Sequence, residues 1–369
     1  MFEFFESKEF LKYKQEKIFA KIKEQIKTLA IYKGGGGLGD LVVANPLFAS
    51  FKKAFPDAKI MYLGTVYPRF KKIFKAIKAI DGYIDFKRPD RGKSKKEYLE
   101  FRKNNLGKID LLIDTQRRWE TSFWLKKLNP RYMLSASVFL SDWKMPRLNY
   151  KKMHILEQML SLPARLGINN FSQWGDADCS LNIDSEYKEN AAKILKGYKG
   201  KFMALMPSCG MQFKNWMPEN FAKLGDLFAN YGYMVIILGS PQELNLYKQI
   251  AANMKQRSII PGLIDLEFAQ ELMNDAAILK QCEIAVGNDS GGMHLASCLG
   301  SLCATVFGPT TPRKFAPIGP RNIVFYENMQ CSPCRFKCSR KIERECLRRI
   351  TPEQVFTACI NKLKSQKED

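Results

Sequence analysis

A carboxylate beside bare backbone is the first arrangement in this sequence that could do chemistry. In KGGGGLGDLVVANPLF, Lys33 to Phe48, Asp40 follows a run of glycines that includes Gly36, Gly37 and Gly39. Gly34, Gly36 and Gly39 fit a dinucleotide-binding G-x-G-x-x-G, but four consecutive glycines satisfy many templates. That fingerprint also wants an acid about 20 residues on, ending the second strand, to hold a ribose. Here the strand ends YLGTVY. A P-loop fails too, because no Gly-Lys-Ser/Thr follows the glycines. Asp40 keeps two readings: a helix N-cap accepting backbone hydrogen bonds, or a carboxylate that takes a proton from a substrate.

Three loops in the second half carry further candidates. PSCGMQFKNWMPENF, Pro207 to Phe221, combines the Ser208 hydroxyl, the Lys214 cation and a helix that starts at Pro218. Those groups suit a phosphate or diphosphate, although Lys214 taken alone also reads as a solvated surface lysine. LGSPQE brings Glu243 to a strand end, where it serves either to grip ribose hydroxyls or as a first-turn helix acid. VGNDSGGMHLASCLGS, Val286 to Ser301, crowds Asp289, Ser290, Gly291, Gly292 and His294 into one strand-to-helix turn. His294 is one of only two histidines. Glycines let backbone approach a ligand there, and the amides after Ser290 face an anion.

Cys331, Cys334, Cys338 and Cys346 follow C-x2-C-x3-C-x7-C. Four thiolates so spaced could hold a structural zinc or iron; disulfides and unliganded thiols stay open as alternatives, and a catalytic role does not fit. Asp176 to Asp178, DAD, resembles a metal-binding DxD but falls in a polar linker, away from any sheet edge.

The elements that must position these residues alternate twice between strand and helix. LAIYK, a helix over 41–54, KIMYLG, a helix over 67–79, GYIDF and DLLIDT form the first series. After the polar stretch 167–184 come KFMALM, a helix over 218–231, YMVIILG, EIAVG and LCATVFG. Short apolar strands joined by helices imply parallel sheets covered on both faces, with ligands beyond the carboxyl ends of the strands. The expected organisation is an α/β fold of two doubly wound, Rossmann-like domains, over 1–175 and 176–350, followed by a C-terminal helix over 351–369. An amphipathic helix over 7–28 leads the first domain.

The chain has 369 residues, which suits two domains, and a formal charge of +22 from 59 Lys+Arg against 37 Asp+Glu. Its partner is therefore anionic, at least in part. Lys87 to Lys108 alone holds nine cations and three acids. Nucleic acid is disfavoured, because no binding module or interleaved aromatic run accompanies the charge. No apolar run approaches a membrane span and the first residues lack the apolar core of a signal peptide, so the expected location is cytoplasmic.

GLGDLVVANPLFASFKKAFPDAKIMYLG, PSCGMQFKNWMPENFAKL, GNDSGGMHLASCLGSLCATVFGPTTP and the closing CSPCRFKC with ITPEQV together resemble glycosyltransferase family 9, the ADP-heptose:lipopolysaccharide heptosyltransferases and their relatives. The resemblance covers about residues 29–358. It implies a GT-B architecture, two Rossmann-like domains facing a cleft, with acceptor bound mainly by the first and nucleotide sugar by the second. It also implies an inverting transfer that needs no catalytic metal. By position, Asp40 takes the family's general-base place and Lys214 that of the lysine on the donor diphosphate. Ser208, Glu243, Asp289, Ser290, Gly291, Gly292 and His294 take donor-binding places, and Gly36, Gly37 and Gly39 the acceptor-side loop. The family often carries a similar cysteine cluster. The implied partners are ADP-heptose and an anionic, lipid-linked core oligosaccharide, with peripheral contact at the cytoplasmic face of the inner membrane and no nucleic acid. Another nucleotide sugar, a protein acceptor, or a scaffold without turnover remain as alternatives.

Overall fold

The computed structural model describes residues 22–35, 37–86, 95–137, 140–143, 150, 152–168, 181–319, 321–334, 338 and 340–368. The chain divides into two compact units, Met1–Asn182 and Ile183–Asp369. In the first, β1 (Thr28–Tyr32), β2 (Lys59–Gly64), β3 (Gly82–Asp85), β4 (Leu111–Asp114) and β5 (Tyr132–Ser135) form a parallel sheet in the order β3-β2-β1-β4-β5. All four residues of β4 and four of the five in β1 are buried, as continuous apolar runs between two layers of helix require.

In the second unit, β6 (Lys201–Met206), β7 (Tyr233–Ile237), β8 (Ser258–Ile259), β9 (Cys282–Asn288), β10 (Leu302–Phe307) and β11 (Asn322–Tyr326) form a parallel sheet ordered β11-β10-β9-β6-β7-β8. Its core joins Leu205, Val235, Val286 and Val306 to Phe221, Phe228 and, from the closing helix Pro352–Glu368, Val355. The expectation of two doubly wound parallel-sheet domains therefore holds.

Several local expectations change. The helix read over 67–79 is a 3-10 turn, Pro68–Phe70, and one helical turn, Ile73–Ala76, because Tyr67 and Ile77 are both extended. The leading helix over 7–28 lies mostly outside the described residues. Within them, Lys23–Gln25 is a 3-10 turn and Thr28 already belongs to β1, so the helix cannot reach 28. Three strands went unread: β5 and β8, of four and two residues, and the edge strand β11. The DAD triplet and residues 87–94 of the basic segment lie outside the described residues. No helix among those described is long and apolar enough to cross a membrane.

Candidate functional site

At the carboxyl end of β1, the buried Lys33 reaches forward to Asp40. Its Nζ lies 2.6 Å from Asp40 Oδ1 and also donates to the Gly34 carbonyl at 2.9 Å. Asp40 is the third residue of the helix Leu38–Ala54, whose N-cap is Gly37, in extended backbone and without a side-chain cap. The N-cap reading of Asp40 is thereby corrected: its carboxylate is engaged by Lys33 rather than by helix amides. Oδ2 accepts no hydrogen bond among the described residues. One third of the Asp40 side chain is open to solvent, so one oxygen is fixed and the other is presented.

The glycines have unequal duties. Gly35 has φ +107, and a Cβ there would stand 2.8 Å from the Asp40 carboxyl carbon. A Cβ at Gly34 would stand 2.9 Å from the Gln116 amide carbon. At Gly37 the nearest atom, Asp40 Oδ2, would be an ordinary 3.7 Å away. Gly39 sits inside the first helical turn, and Gly36 lies outside the described residues. The bare backbone thus makes room first for Asp40 itself.

Sequence reasoning missed the support under this loop. Asp114, the last residue of β4, is fully buried and accepts from Ser122 Oγ at 2.5 Å, Ser135 Oγ at 3.1 Å and the Gln116 amide at 2.8 Å. Burial raises its carboxyl to about 6 from an ordinary 3.8, against the opposing pull of those hydrogen bonds. It thereby holds Gln116, which packs on Gly34. An acid ending an otherwise apolar strand was the available signal.

In the second unit the carboxyl ends of β9, β6 and β7 lie side by side. Lys214 is a half-buried partner, not a solvated lysine: Nζ lies 2.6 Å from Asp289 Oδ2 and donates to the Asp289 carbonyl at 2.8 Å. Thr310 Oγ1 donates to the same carboxylate oxygen at 2.6 Å. Two of the three ammonium donors are so used, leaving one. Ser208 Oγ meets Tyr247 OH at 2.9 Å, an approach that needs a glycine at Gly239, where φ is +148.

Glu243 closes a 3-10 turn, Pro241–Glu243, and stands at the N-cap of Leu244–Asn253 without capping it through its side chain. Its Oε2 is buried and accepts no hydrogen bond among the described residues. Glu243 thus stands at a helix start, as the first-turn helix-acid reading has it, but caps nothing through its side chain, and a buried carboxylate oxygen without a partner costs stability unless a ligand fills the role. Cys209, also unforeseen, has its thiol pushed up by burial first, with Lys214 opposing and Asp289 and Glu243 adding to the rise. Lys214, Asp289 and Glu243 therefore share one neighbourhood.

Asn288, wholly buried at the end of β9, ties these loops together. Its Oδ1 accepts from the Trp216 amide at 2.8 Å, and its Nδ2 donates to the Pro207 carbonyl at 2.6 Å. Ser290 is the N-cap of Gly291–Cys298 without a side-chain cap bond, so its hydroxyl is not spent on the helix. Gly292 is closed against Met206, and Gly287 approaches the Met206 carbonyl so closely that a Cβ would stand 2.6 Å from it. His294 is buried in that helix. The other histidine, His154, has a structural duty, capping Ile155–Arg165 by accepting from the Leu156 amide.

Cys331, Cys334, Cys338 and Cys346 line one recess, together with Phe213 from the Lys214 loop and Pro309 beside Thr310. All four are free thiols, with no disulfide among the described residues. Among the described residues no three His, Cys, Asp or Glu side chains stand grouped as metal ligands. Arg344 bridges the recess to the loop, donating to the Asn215 carbonyl at 3.2 Å.

One unit thus presents a carboxylate at its strand ends, and the other gathers a lysine, hydroxyls and a helix N-terminus at its own. Comparison with known proteins identifies the family. The model of glycosyltransferase family 9 (heptosyltransferase) matches residues 106–350. A lipooligosaccharide heptosyltransferase 2 of Campylobacter jejuni is 26% identical over 335 residues, 89% of this chain and 96% of its own. The solved family 9 glycosyl transferase of Veillonella parvula superposes with a TM-score of 0.74 at 21% identity, covering 92% of this chain and 98% of its own. The Escherichia coli ADP-heptose lps heptosyltransferase II does so with 0.70 at 17% identity, covering 93% and 100%. These structural likenesses show a shared GT-B fold. The chain belongs to glycosyltransferase family 9, the heptosyltransferase family, and is a glycosyltransferase.

Proposed function

We propose that this enzyme transfers a heptose from ADP-heptose to a sugar of an anionic, lipid-linked lipopolysaccharide or lipooligosaccharide core, with inversion and without a catalytic metal. The acceptor hydroxyl attacks the anomeric carbon while the bond from that carbon to the diphosphate oxygen breaks. The hydroxyl proton passes to Asp40 and ADP departs. The observation that carries the reading is the Asp40 carboxylate, with Oδ1 pinned by Lys33 and Oδ2 left to accept a proton. The relative from Escherichia coli, whose name gives ADP-heptose, supports the donor, and the Campylobacter jejuni relative supports the acceptor class.

On the donor side, the remaining Lys214 donor and the amides that follow Ser290 meet the departing diphosphate, where charge builds as the bond breaks. Glu243 grips the ribose, which gives its buried Oε2 a partner. Ser208, Asp289, Gly291, Gly292 and His294 complete this set. Asp289 acts by holding Lys214 rather than by touching the sugar. The four cysteines are a soft donor set by residue type, but among the described residues no three of them are gathered as ligands, so no metal is assigned to the 331–346 segment.

Thermal shift with a panel of ADP-, UDP- and GDP-sugars tests the donor, followed by mass analysis of a core acceptor incubated with the one that binds. Stabilisation by ADP-heptose alone and a heptose added to the core are the expected results. Stabilisation by a non-adenine donor only, or turnover on a protein acceptor, would sink the assignment. Metal content of the purified chain, expected well below one equivalent, tests that placement of the cysteines.

A further inference from the structure

Gln116 packs against the Asp40 loop but has no part in the chemistry above. Parallel register sets Asp114 level with Tyr32, so two residues further on Gln116 comes level with Gly34. Three hydrogen bonds fix the backbone there. The Thr115 amide and Thr115 Oγ1 both donate to the Tyr32 carbonyl, at 3.1 and 2.9 Å, and the Gln116 amide donates to Asp114 Oδ1 at 2.8 Å. Beneath it, Asp114 Oδ2 and the hydroxyls of Ser122, Ser135 and Ser137 close on one another, with Ser137 Oγ 2.6 Å from Ser122 Oγ and 2.9 Å from Ser135 Oγ. Ser122 and Ser135 are buried with Asp114, whereas Gln116 is half-buried and reaches the loop.

A Cβ at Gly34 would stand 2.9 Å from Gln116 Cδ and 3.1 Å from both Nε2 and Oε1, so the carboxamide lies flat against the bare α-carbon. One Nε2 hydrogen goes to Thr115 Oγ1 in a long bond of 3.3 Å, and Oε1 accepts none among the described residues. One acceptor and one donor hydrogen therefore remain. On the next residue, Gly35, it is the Asp40 carboxylate that fills the place of a Cβ. Because consecutive α-carbons are about 3.8 Å apart, Gln116 Cδ and Asp40 Cγ are separated by at most about 13 Å. Packing alone needs no amide, since an apolar side chain would cover Gly34 and leave no oxygen to satisfy. An uncharged group with one donor and one acceptor matches a sugar hydroxyl, which also does both, rather than a phosphate or carboxylate, which only accepts. We propose that the Gln116 carboxamide is a specificity-determining contact to the acceptor sugar, holding a hydroxyl other than the one that Asp40 deprotonates. The contact rests on the sugar acceptor and the proton-accepting Asp40 proposed above. Gly34 then seats the group that holds the sugar, and Gly35 the group that takes its proton.

The test is transfer by the full chain from saturating ADP-heptose to a deacylated, heptose-deficient core oligosaccharide. Gln116→Ala is expected to raise the acceptor KM about 10- to 30-fold, as loss of two neutral hydrogen bonds would, with kcat within about threefold. The dissociation constant for ADP-heptose should stay within about twofold, and the unfolding temperature close to that of the parent, because only the long bond to Thr115 is lost. Gly34→Ala, whose Cβ would take the place of the carboxamide, should raise the same KM by itself but add little in a Gln116→Ala background. Across single-deoxy versions of the acceptor sugar, the parent should respond to loss of one hydroxyl that Gln116→Ala no longer senses. A parent that transfers heptose while Gln116→Ala keeps its acceptor KM overturns this contact and leaves the proposed function standing. Parallel losses in acceptor KM, donor binding and unfolding temperature overturn it too, because they make Gln116 a structural support. A parent that binds ADP-heptose but adds nothing to any sugar acceptor overturns the proposed function, and the contact with it.

Discussion

Gly35→Ala separates clearance for Asp40 from clearance for substrate. The added Cβ would stand 2.8 Å from the Asp40 carboxyl carbon, at a residue whose φ is +107. Oδ2 lies nearer still, and relaxing that approach to an ordinary contact, about 3.5 Å, moves the carboxylate or the loop by roughly 1 Å. A displacement near 1 Å at a catalytic group costs on the order of a hundredfold, so kcat should fall about 10- to 100-fold. The backbone strain adds roughly 1–3 kcal/mol of lost stability, which for a unit of this size lowers its Tm by about 2–12 °C. Gly37→Ala is the matched control: its Cβ would lie 3.7 Å from Asp40 Oδ2 at φ −68, and it should keep kcat within about threefold. The assay is heptose transfer under saturating donor, with ADP binding measured in parallel and expected to stay unchanged. Full turnover by Gly35→Ala, or equal losses in both variants, would refute the reasoning.

Three further outcomes follow from the geometry. Glu243→Gln should raise the donor KM about tenfold or more while leaving unfolding unchanged or slightly improved, since Oε2 has no partner to lose; an unchanged KM would contradict its ribose role. Asn288→Ala leaves the Trp216 amide and the Pro207 carbonyl unpaired, at about 3 kcal/mol, and should lower the Tm of the second unit by roughly 6–12 °C in calorimetry. Asp114 is held near 6 in the folded chain against an ordinary 3.8, so folding takes up a proton between those values. Its contribution is therefore greatest below about pH 4 and falls by about 3 kcal/mol as pH rises past 6. In Asp114→Asn that decline should vanish, and urea titrations of both proteins at each pH check it.

The sheet strands β6, β9 and β10 were legible because each carries a mostly apolar run, of which four to six consecutive residues are buried in a parallel sheet covered on both faces. Strand β8 was not, having only two residues; β5, as long as β3 and β4, is hemmed in by Arg131 before it and Ser135 at its end; and β11, half-exposed at the sheet edge, resembles a loop. The loops were legible as chemistry but not as geometry. Asp289 and Lys214 were both read from sequence, yet their ion pair joins residues 75 positions apart and depends on β6 and β9 being neighbours. The support residues Asp114 and Asn288 were missed for the same reason: each is one polar residue closing an apolar strand, and only the fold reveals what it holds. The unequal roles of Gly35 and Gly37 likewise depend on a backbone angle that four identical letters cannot encode.

The most direct test of the account is sugar transfer by Asp40→Asn, measured as a single-turnover rate beside the dissociation constant for ADP-heptose. The substitution keeps the shape of the side chain and its contact with Lys33 Nζ, but removes the oxygen that takes the proton. Loss of about 10²- to 10⁴-fold in rate, with donor binding within about twofold of the parent, is the predicted result. Transfer within about threefold of the parent would contradict a proton-accepting Asp40.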